Sequence, residues 1–178
     1  MASRKTAQVD GLGRVTTYGY DTADRLTLKQ NARGDRITMS YDGASRLTGQ
    51  LYPLGRRNTF TYDAADNRTL LADQTGSTTT TYDALYRPTL VTNPVGKRVT
   101  YTYDGANRRR TMTSPDGGLY TYTYNGASNL TLLANPQGKS TTLVYDPLNR
   151  PAIKQLSNGG WLGRSGLSVG LIHVKSRR

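Results

Sequence analysis

The chain has 178 residues, a formal net charge of +12 and a hydrophobic content of 35%. It contains no cysteine, which excludes disulfides and thiolate metal sites, and no run of about 18 apolar residues that would predict a membrane-spanning helix. Arg4 and Lys5 are not followed by an apolar stretch, so no signal peptide is expected in this chain as it stands.

The choice of aromatic and acidic residues indicates an all-β fold. Thirteen tyrosines stand against Phe60 and Trp161 alone, and all twelve acidic residues are aspartate, with no glutamate. Tyr and Thr favour half-buried pleated surfaces, whereas Asp, Asn and Gly favour turns. Glutamate, a helix former, is the acid that is missing.

In chain order, residues 1–13 are predicted to be the last part of a preceding repeat. Gly13 lies seven positions before Tyr20, as Gly34 does before Tyr41. From there a repeat of about 21 residues runs over 14–159, which holds seven units. The spacings of its marker tyrosines are 21, 21, 20, 21, 21 and 21 residues. The marker dipeptides are Tyr20-Asp21, Tyr41-Asp42, Tyr62-Asp63, Tyr82-Asp83, Tyr103-Asp104, Tyr124-Asn125 and Tyr145-Asp146.

Three further positions keep the same frame. Three residues before each marker tyrosine is a threonine, and five residues after it is an arginine or asparagine. The latter are Arg25, Arg46, Asn67, Arg87, Arg108, Asn129 and Arg150. Fourteen residues after it is a glycine: Gly34, Gly55, Gly76, Gly96, Gly117, Gly138 and Gly159. We take the tyrosines, the Asp or Asn residues and the glycines as the structural repeat positions.

Each unit is predicted to begin with a strand that ends at its marker tyrosine. Ile37, Met39 and Tyr41 alternate with Thr38 and Ser40, which predicts one apolar face and one hydroxyl face. We expect the tyrosine face to be buried against neighbouring units and the threonine face to be more exposed. Before Tyr82 this alternation is weaker, because Thr78 and Thr80 take the apolar positions of the strand.

The Asp or Asn after each tyrosine predicts a turn in which its side chain accepts backbone hydrogen bonds. A second strand is then expected near the arginine, with an apolar residue three positions later in five units: Leu28, Leu70, Leu90, Leu132 and Ile153. A proline two residues before the glycine predicts the second turn in four units: Pro53, Pro94, Pro115 and Pro136. The sequence therefore predicts tandem β-hairpins that stack into a curved antiparallel sheet.

After Gly159 the frame fails, and 160–178 is predicted to be a basic aperiodic tail. It holds Arg164, Lys175, Arg177 and Arg178 and no acid. We expect a junction, a cap or a disordered end. Trp161 is interpreted as a cap on the last apolar face rather than a sugar-stacking residue, and His173 as a surface histidine without catalytic or metal-binding partners.

The repeat resembles the YD repeat of the RHS family, and Tyr41-Asp42-Gly43-Ala44-Ser45-Arg46-Leu47-Thr48 with Pro53-Leu54-Gly55 is its cleanest copy. Members are large bacterial surface or secreted proteins, related to toxin-complex C subunits and to teneurins. The resemblance implies a β-spiral shell, which in bacterial members encloses a variable C-terminal toxin. We expect this chain to be a segment of such a shell, too short for closure and without a toxin domain. The self-cleaving aspartates of the family belong to a boundary that this chain lacks, so no residue takes that role here.

Two alternatives concern the repeated charges. The aspartates, with second carboxylates such as Asp24 and Asp66, are calcium ligands in one interpretation and turn residues in the other, which we favour because ligands do not cluster. The arginine ladder either binds anionic glycans or nucleic acid, or packs its stems on tyrosine rings with its heads near neighbouring aspartates. We favour the packing interpretation.

The resulting hypothesis is a non-catalytic structural module of an RHS-type shell that encloses or presents a toxin or other cargo. The alternative is a repeat module that binds cell-surface carbohydrate or polyanion, since a charge of +12 attracts polyanions. We expect no catalytic residue, no cofactor, no metal, and no specific nucleic-acid partner. The expected partners are the rest of a larger shell and a cargo, and the resemblance implies a secreted or cell-surface location.

Overall fold

Strands and tight turns alternate along the whole chain that the structure describes. The structure, a computed structural model, describes residues 4–163, with side chains over 4–160. The sixteen strands found there are β1 (Ala7–Val9), β2 (Val15–Tyr20), β3 (Leu26–Gln30), β4 (Arg36–Tyr41), β5 (Leu47–Leu51), β6 (Arg57–Tyr62), β7 (Arg68–Asp73), β8 (Gly76–Tyr82), β9 (Pro88–Thr92), β10 (Arg98–Tyr103), β11 (Arg109–Thr113), β12 (Leu119–Tyr124), β13 (Leu130–Ala134), β14 (Ser140–Tyr145), β15 (Pro151–Leu156) and β16 (Trp161–Gly163). Within that part of the chain the only helical element is a 3-10 turn, Pro53–Gly55. The all-β fold predicted from the sequence is confirmed.

The chain divides into two compact units, Met1–Val99 and Thr100–Arg178. Within each unit the strands follow one another in the sheet in the order of the sequence, and each is antiparallel to the next. Strands pack chiefly against their sequence neighbours, as expected for hairpins that stack in tandem.

Every marker tyrosine lies at the end of a strand, as the repeat predicts. Tyr20, Tyr41 and Tyr62 end β2, β4 and β6, and the later units follow the same rule. In β4 and β10 the side chains alternate between half-buried and exposed positions, with Met39 and Tyr101 on the tyrosine face and Thr38 and Thr100 on the exposed face.

A β-bulge stands at the same place in every hairpin that a Tyr-Asp turn closes. In the first of these, Gly19 pairs with Leu28 and Tyr20 with Leu26, which leaves Thr27 as the extra residue. Pro88 and Pro151 occupy the position of Leu26 in their units, paired with Tyr82 and Tyr145. A proline is tolerated there because the bulge interrupts the ladder.

The turns of both kinds have nearly the same geometry. In the Tyr-Asp turn of the first repeat, the Asp21 carbonyl accepts a hydrogen bond from the Asp24 N–H (3.1 Å), and the Asp21 N–H donates to Arg25 O (3.0 Å). In the glycine turn that follows, Asn31 O accepts from Gly34 N (3.0 Å) and Asn31 N donates to Asp35 O. Both are three-residue loops that end in a residue of positive φ, a common way to close a hairpin.

One turn is shorter than the others, and it accounts for the single 20-residue spacing. Asp73 pairs directly with Gly76, so β7 and β8 are joined by two residues. A Cβ on Gly76, where φ is +119°, would lie 2.8 Å from Pro94 Cβ. The sequence predicts a glycine turn at this position, and the structure shows it with one residue fewer.

Burial is shallower than the sequence predicts. We expect the tyrosine face to be buried, but among the described residues no apolar side chain is fully buried. The marker tyrosines are half-buried instead. Leu28 pairs with Gly19 and Thr38, so it lies on the threonine face. Apolar side chains are therefore shared between both faces, and half-burial of each is the result.

Candidate functional site

The candidate site is a contact that recurs between successive Tyr-Asp turns, and it starts from the aspartate. One carboxylate oxygen of Asp42, Oδ1, accepts hydrogen bonds from the N–H groups of Ala44 (3.0 Å) and Arg46 (2.9 Å). Asn125 does the same with the N–H groups of Ala127 and Asn129. An amide oxygen serves as well as a carboxylate, which indicates that these side chains shape the turn.

The second carboxylate oxygen holds the arginine of the same turn. Arg46 Nε donates to Asp42 Oδ2 at 2.7 Å, and Arg25 Nε donates to Asp21 Oδ2 at the same distance. These side chains are about three-quarters covered, with exposures of 26% for Arg46 and 25% for Asp42. The ion pair is therefore less screened by solvent than a fully exposed pair.

The same guanidinium then reaches the next turn along the chain, and we call this contact an arginine clasp. Arg46 Nη1 donates to Asp63 O (2.8 Å) and Asp66 Oδ1 (2.7 Å), and its guanidinium carbon lies 5.0 Å from the centre of the Tyr62 ring. Each clasp thus combines charge-assisted hydrogen bonds with a cation–π contact.

Arg25 and Arg108 make the same set of contacts. Arg25 reaches Asp42 O (2.9 Å), Ser45 and the Tyr41 ring. Arg108 reaches Asn125 O (3.1 Å), Ser128 and the Tyr124 ring, and Arg4 makes the equivalent contacts with Asp21 O, Asp24 and the Tyr20 ring.

The hydroxyl of each marker tyrosine forms a second link, a hydrogen bond back to the preceding hairpin. Tyr41 OH donates to Leu26 O at 2.8 Å and Tyr62 OH donates to Leu47 O at 2.9 Å. Leu26 and Leu47 are bulge residues, so each tyrosine binds a carbonyl at the interruption of the preceding ladder. Buried phenols usually need such a partner.

The aspartates that follow the marker tyrosines have pKa values below the ordinary range. Hydrogen bonds from the Arg46 N–H and then from its guanidinium lower the pKa of Asp42. For Asp104 the guanidinium of Arg108 is the largest cause, followed by the Arg108 N–H, and its pKa is lowered as well. Because these bonds favour the ionised form, the aspartates stay charged at neutral pH.

Both interpretations of the charges can now be compared with the geometry. The packing interpretation of the arginine ladder is confirmed at Arg25, Arg46 and Arg108. Asp24 and Asp66 bind arginines, and over residues 4–163 no three His, Asp or Glu side chains are arranged to hold a metal ion. Arg87 and Arg150 each hold the aspartate of their own turn.

The second set of turns contains residues that the sequence analysis overlooked. Asn31, Asn93 and Asn135 accept backbone hydrogen bonds through their amide oxygens, as the Tyr-Asp aspartates do. An asparagine three residues before the repeat glycine is the signal that would have identified them. The predicted positive φ is present at every repeat glycine, from Gly34 to Gly159.

Some predictions fall on residues outside the described part of the chain. They concern His173 and the tail charges from Arg164 onward, and also the Trp161 side chain, although its backbone pairs with Gln155 in β16.

The comparisons with known proteins agree with the geometry. The sequence matches the profile of the family described as Teneurin YD-shell over residues 2–150. The chain belongs to the teneurin YD-shell family. No curated protein sequence matches it.

Solved structures of toxin complexes show the same fold. The crystal structure of TcdB2-TccC3-Cdc42 matches with a TM-score of 0.68 and 17% identity, over 80% of this chain and 9% of that one. The Tc holotoxin pore of Photorhabdus luminescens matches with a TM-score of 0.67 and 18% identity, over the same shares of the two chains. This YD-shell chain thus spans about a tenth of the solved chains that it matches. Over residues 4–163 no helix is long and apolar enough to cross a membrane.

Proposed function

We propose that this chain is a non-catalytic structural module, a segment of an RHS-type shell wall that encloses or presents a secreted toxin or other cargo. The supporting observation is the series of arginine clasps. In each, the strongest polar groups of one unit bind the next unit: Arg25 joins the turn at Asp21 to the turn at Asp42. These polar groups stabilise a wall of repeats, and because they already bind one another they are not free to bind a substrate.

The fold supports the same proposal. The solved structures that match are of toxin complexes, and this chain corresponds to a small part of each. In a wall, both faces of a sheet are accessible to other material, which agrees with the half-burial of Tyr and Leu residues on opposite faces.

A chimaera tests the wall proposal. The matching stretch of TccC3 is replaced by residues 4–150, and the chimaera is prepared with TcdB2. We expect the segment that follows the shell to resist protease as in the parent complex. In a matched chimaera with Arg25, Arg46 and Arg108 changed to Gln, we expect protease to cleave that segment faster. A stable chimaera whose cargo is cleaved at the rate of free cargo would contradict the proposal.

A second candidate function is the binding of carbohydrate or other polyanion, and the distribution of charge favours one surface for it. Exposed cations that make no clasp recur at the glycine turns within residues 1–99. They include Arg33, Arg36, Arg56, Arg57 and Lys97. Retention on a heparin column that survives moderate salt, and that falls in an Arg56→Gln, Arg57→Gln variant, would support this function over non-specific attraction.

A further inference from the structure

Within residues 1–99 the clasp series is interrupted at one position, Asn67. At the equivalent positions Arg25 and Arg46 bind an aspartate of their own turn, a carbonyl of the next turn and a tyrosine ring. Asn67 reaches the first of these only, with Nδ2 donating to Asp63 Oδ2 at 3.0 Å. In the described part of the chain its amide makes no hydrogen bond to the next turn.

The acceptors that an arginine would contact are nevertheless present around Asn67. Asp63 Oδ2 corresponds to the oxygen that holds each guanidinium, and Asp83 O to the carbonyl that receives it. Tyr82 is placed as in the other units, because its hydroxyl donates to Arg68 O at 2.9 Å. Among the described residues, no cation lies over the Tyr82 ring, in contrast to the rings of Tyr41 and Tyr62.

The charge at this place also favours a cation. Asp63 and Asp66 share one arginine, Arg46, which binds Asp66 through Nη1 and contacts the carbonyl of Asp63 rather than its carboxylate. Arg46 also neutralises Asp42. The Asp63 carboxylate therefore has a neutral amide, Asn67, where Asp21 and Asp42 have a guanidinium.

A second, independent departure from the repeat occurs in the next turn, at position 86. Position 86, which is Ser45 or Asp66 in other units, is here a tyrosine with φ +61° and 62% exposure. A bulky residue in this conformation is strained, and strained residues cluster at functional sites. The clasp arginines bind the equivalent residues, Ser45 and Asp66. Tyr86 therefore places an aromatic side chain at a position that a guanidinium contacts in other units, and aromatic side chains attract cations.

We propose that Asp63, Asn67, Tyr82 and the Asp83 carbonyl form a receiving site for a guanidinium supplied by another polypeptide, an arginine side chain of a basic partner segment. The repeat itself is the precedent, since the same acceptor set binds an arginine at three other places in this chain. Arginine fits better than lysine because its planar fork donates to a carboxylate and a carbonyl at once.

Asparagine also replaces the clasp arginine at Asn129, but there the site has neither a carboxylate in its turn nor an open span to the next turn. Its turn begins with Asn125, which is neutral, and Asn129 Nδ2 donates to Asn149 Oδ1 at 3.0 Å in the next turn. The carboxylate is missing and the span is already bridged. Asn129 is therefore the internal comparison for the experiment.

The test is a titration of the ¹⁵N-labelled chain with Nα-acetyl-arginine amide, followed by amide chemical shifts. We expect shifts at 63–67 and 83–86, and none at 125–129. The citrulline analogue, which is neutral and of the same shape, is expected to leave all of these amides unchanged. Equal shifts with both compounds would overturn the proposal.

Two variants make the result decisive. Asn67→Arg places an arginine in the site from within the chain, so the dissociation constant of the probe should rise at least about tenfold, the effect of losing one charged hydrogen bond. Asn129→Arg should leave it unchanged. Asp63→Asn, which keeps the turn acceptor as Asn125 does, should weaken binding similarly. Unchanged affinity in both Asn67→Arg and Asp63→Asn would show that the probe binds elsewhere.

Discussion

At the scale of single residues, three side chains together link neighbouring units. Asp42 shapes its own turn with one oxygen and holds Arg46 with the other. Arg46 holds the next turn, and Tyr62 of that turn binds back to Leu47. A change at any of the three is therefore felt on both sides of a hairpin boundary.

Replacing Arg46 by Gln tests the clasp. The change removes contacts with Asp42, Asp63 and Asp66, so we expect backbone opening at 63–67 to become about tenfold more frequent, as for loss of a charge-assisted hydrogen bond. Hydrogen exchange measures it. Arg56→Gln is the matched control, because Arg56 is an exposed arginine of a glycine turn. Equal effects of the two changes would contradict the clasp.

The lowered pKa values predict acid sensitivity. An aspartate whose pKa is lower in the folded chain contributes stability above its unfolded pKa, about 3.9, and this is lost as the pH falls through the folded value. For Asp83, whose pKa is lowered first by the guanidinium of Arg87, the Asp83→Asn variant should melt below the parent at pH 7. The difference should shrink as the pH falls below about 4 and through the lowered pKa of Asp83. A constant difference across that range would show that the charge is irrelevant.

At the scale of elements, the hairpin depends on a bulge and on two similar turns. The bulge at Leu26 leaves its carbonyl to Tyr41, so the irregularity of one hairpin is the docking point of the next. The glycine turn needs a residue of positive φ at its third position, where an ordinary side chain costs about 1–2 kcal/mol.

Replacing Gly96 by Val tests the turn. Its φ is +77° and no atom lies within 4 Å of the added Cβ, so the cost comes from the backbone alone. We expect faster hydrogen exchange at 89–99 and little change near Tyr20, because units contact mainly their neighbours. Gly43→Val is the control, since Gly43 has open space too but no positive φ. Loosening that spreads evenly to Tyr20 would contradict the local behaviour.

At the largest scale, the stability of the part of the chain whose side chains are described comes from many shallow contacts, because no apolar side chain there is fully buried. The first edge strand, β1, is exposed along its length, and Val9 is 63% exposed. Such an edge presents unpaired backbone groups and favours pairing with another chain.

We therefore expect the isolated chain to associate with rising concentration, as measured by sedimentation velocity. Val9→Lys should shift the association to concentrations about tenfold higher, because a charge on an edge strand opposes pairing. Val95→Lys, at a glycine turn where Val95 is 76% exposed, should leave it unchanged. A parent chain that stays monomeric at all concentrations would contradict edge pairing.

How much of this was predictable depends on the range of the interaction. The repeat frame placed every marker tyrosine at a strand end and predicted the Asp turns and the glycine conformations, since these follow from local backbone preferences and alternation. It also predicted the stacking of Arg on Tyr. It did not predict the bulge, because nothing local distinguishes Thr27 from an ordinary strand residue.

The period, the strand class and the turn chemistry follow from the amino-acid order alone, because they depend on residues a few positions apart. The unit that each arginine binds, and the face that Leu28 shares with Thr38, emerge only in the folded chain. It also decided that the tyrosines are half-buried. These properties depend on the register between strands, where a shift of one residue would exchange the two faces, and on what covers each face.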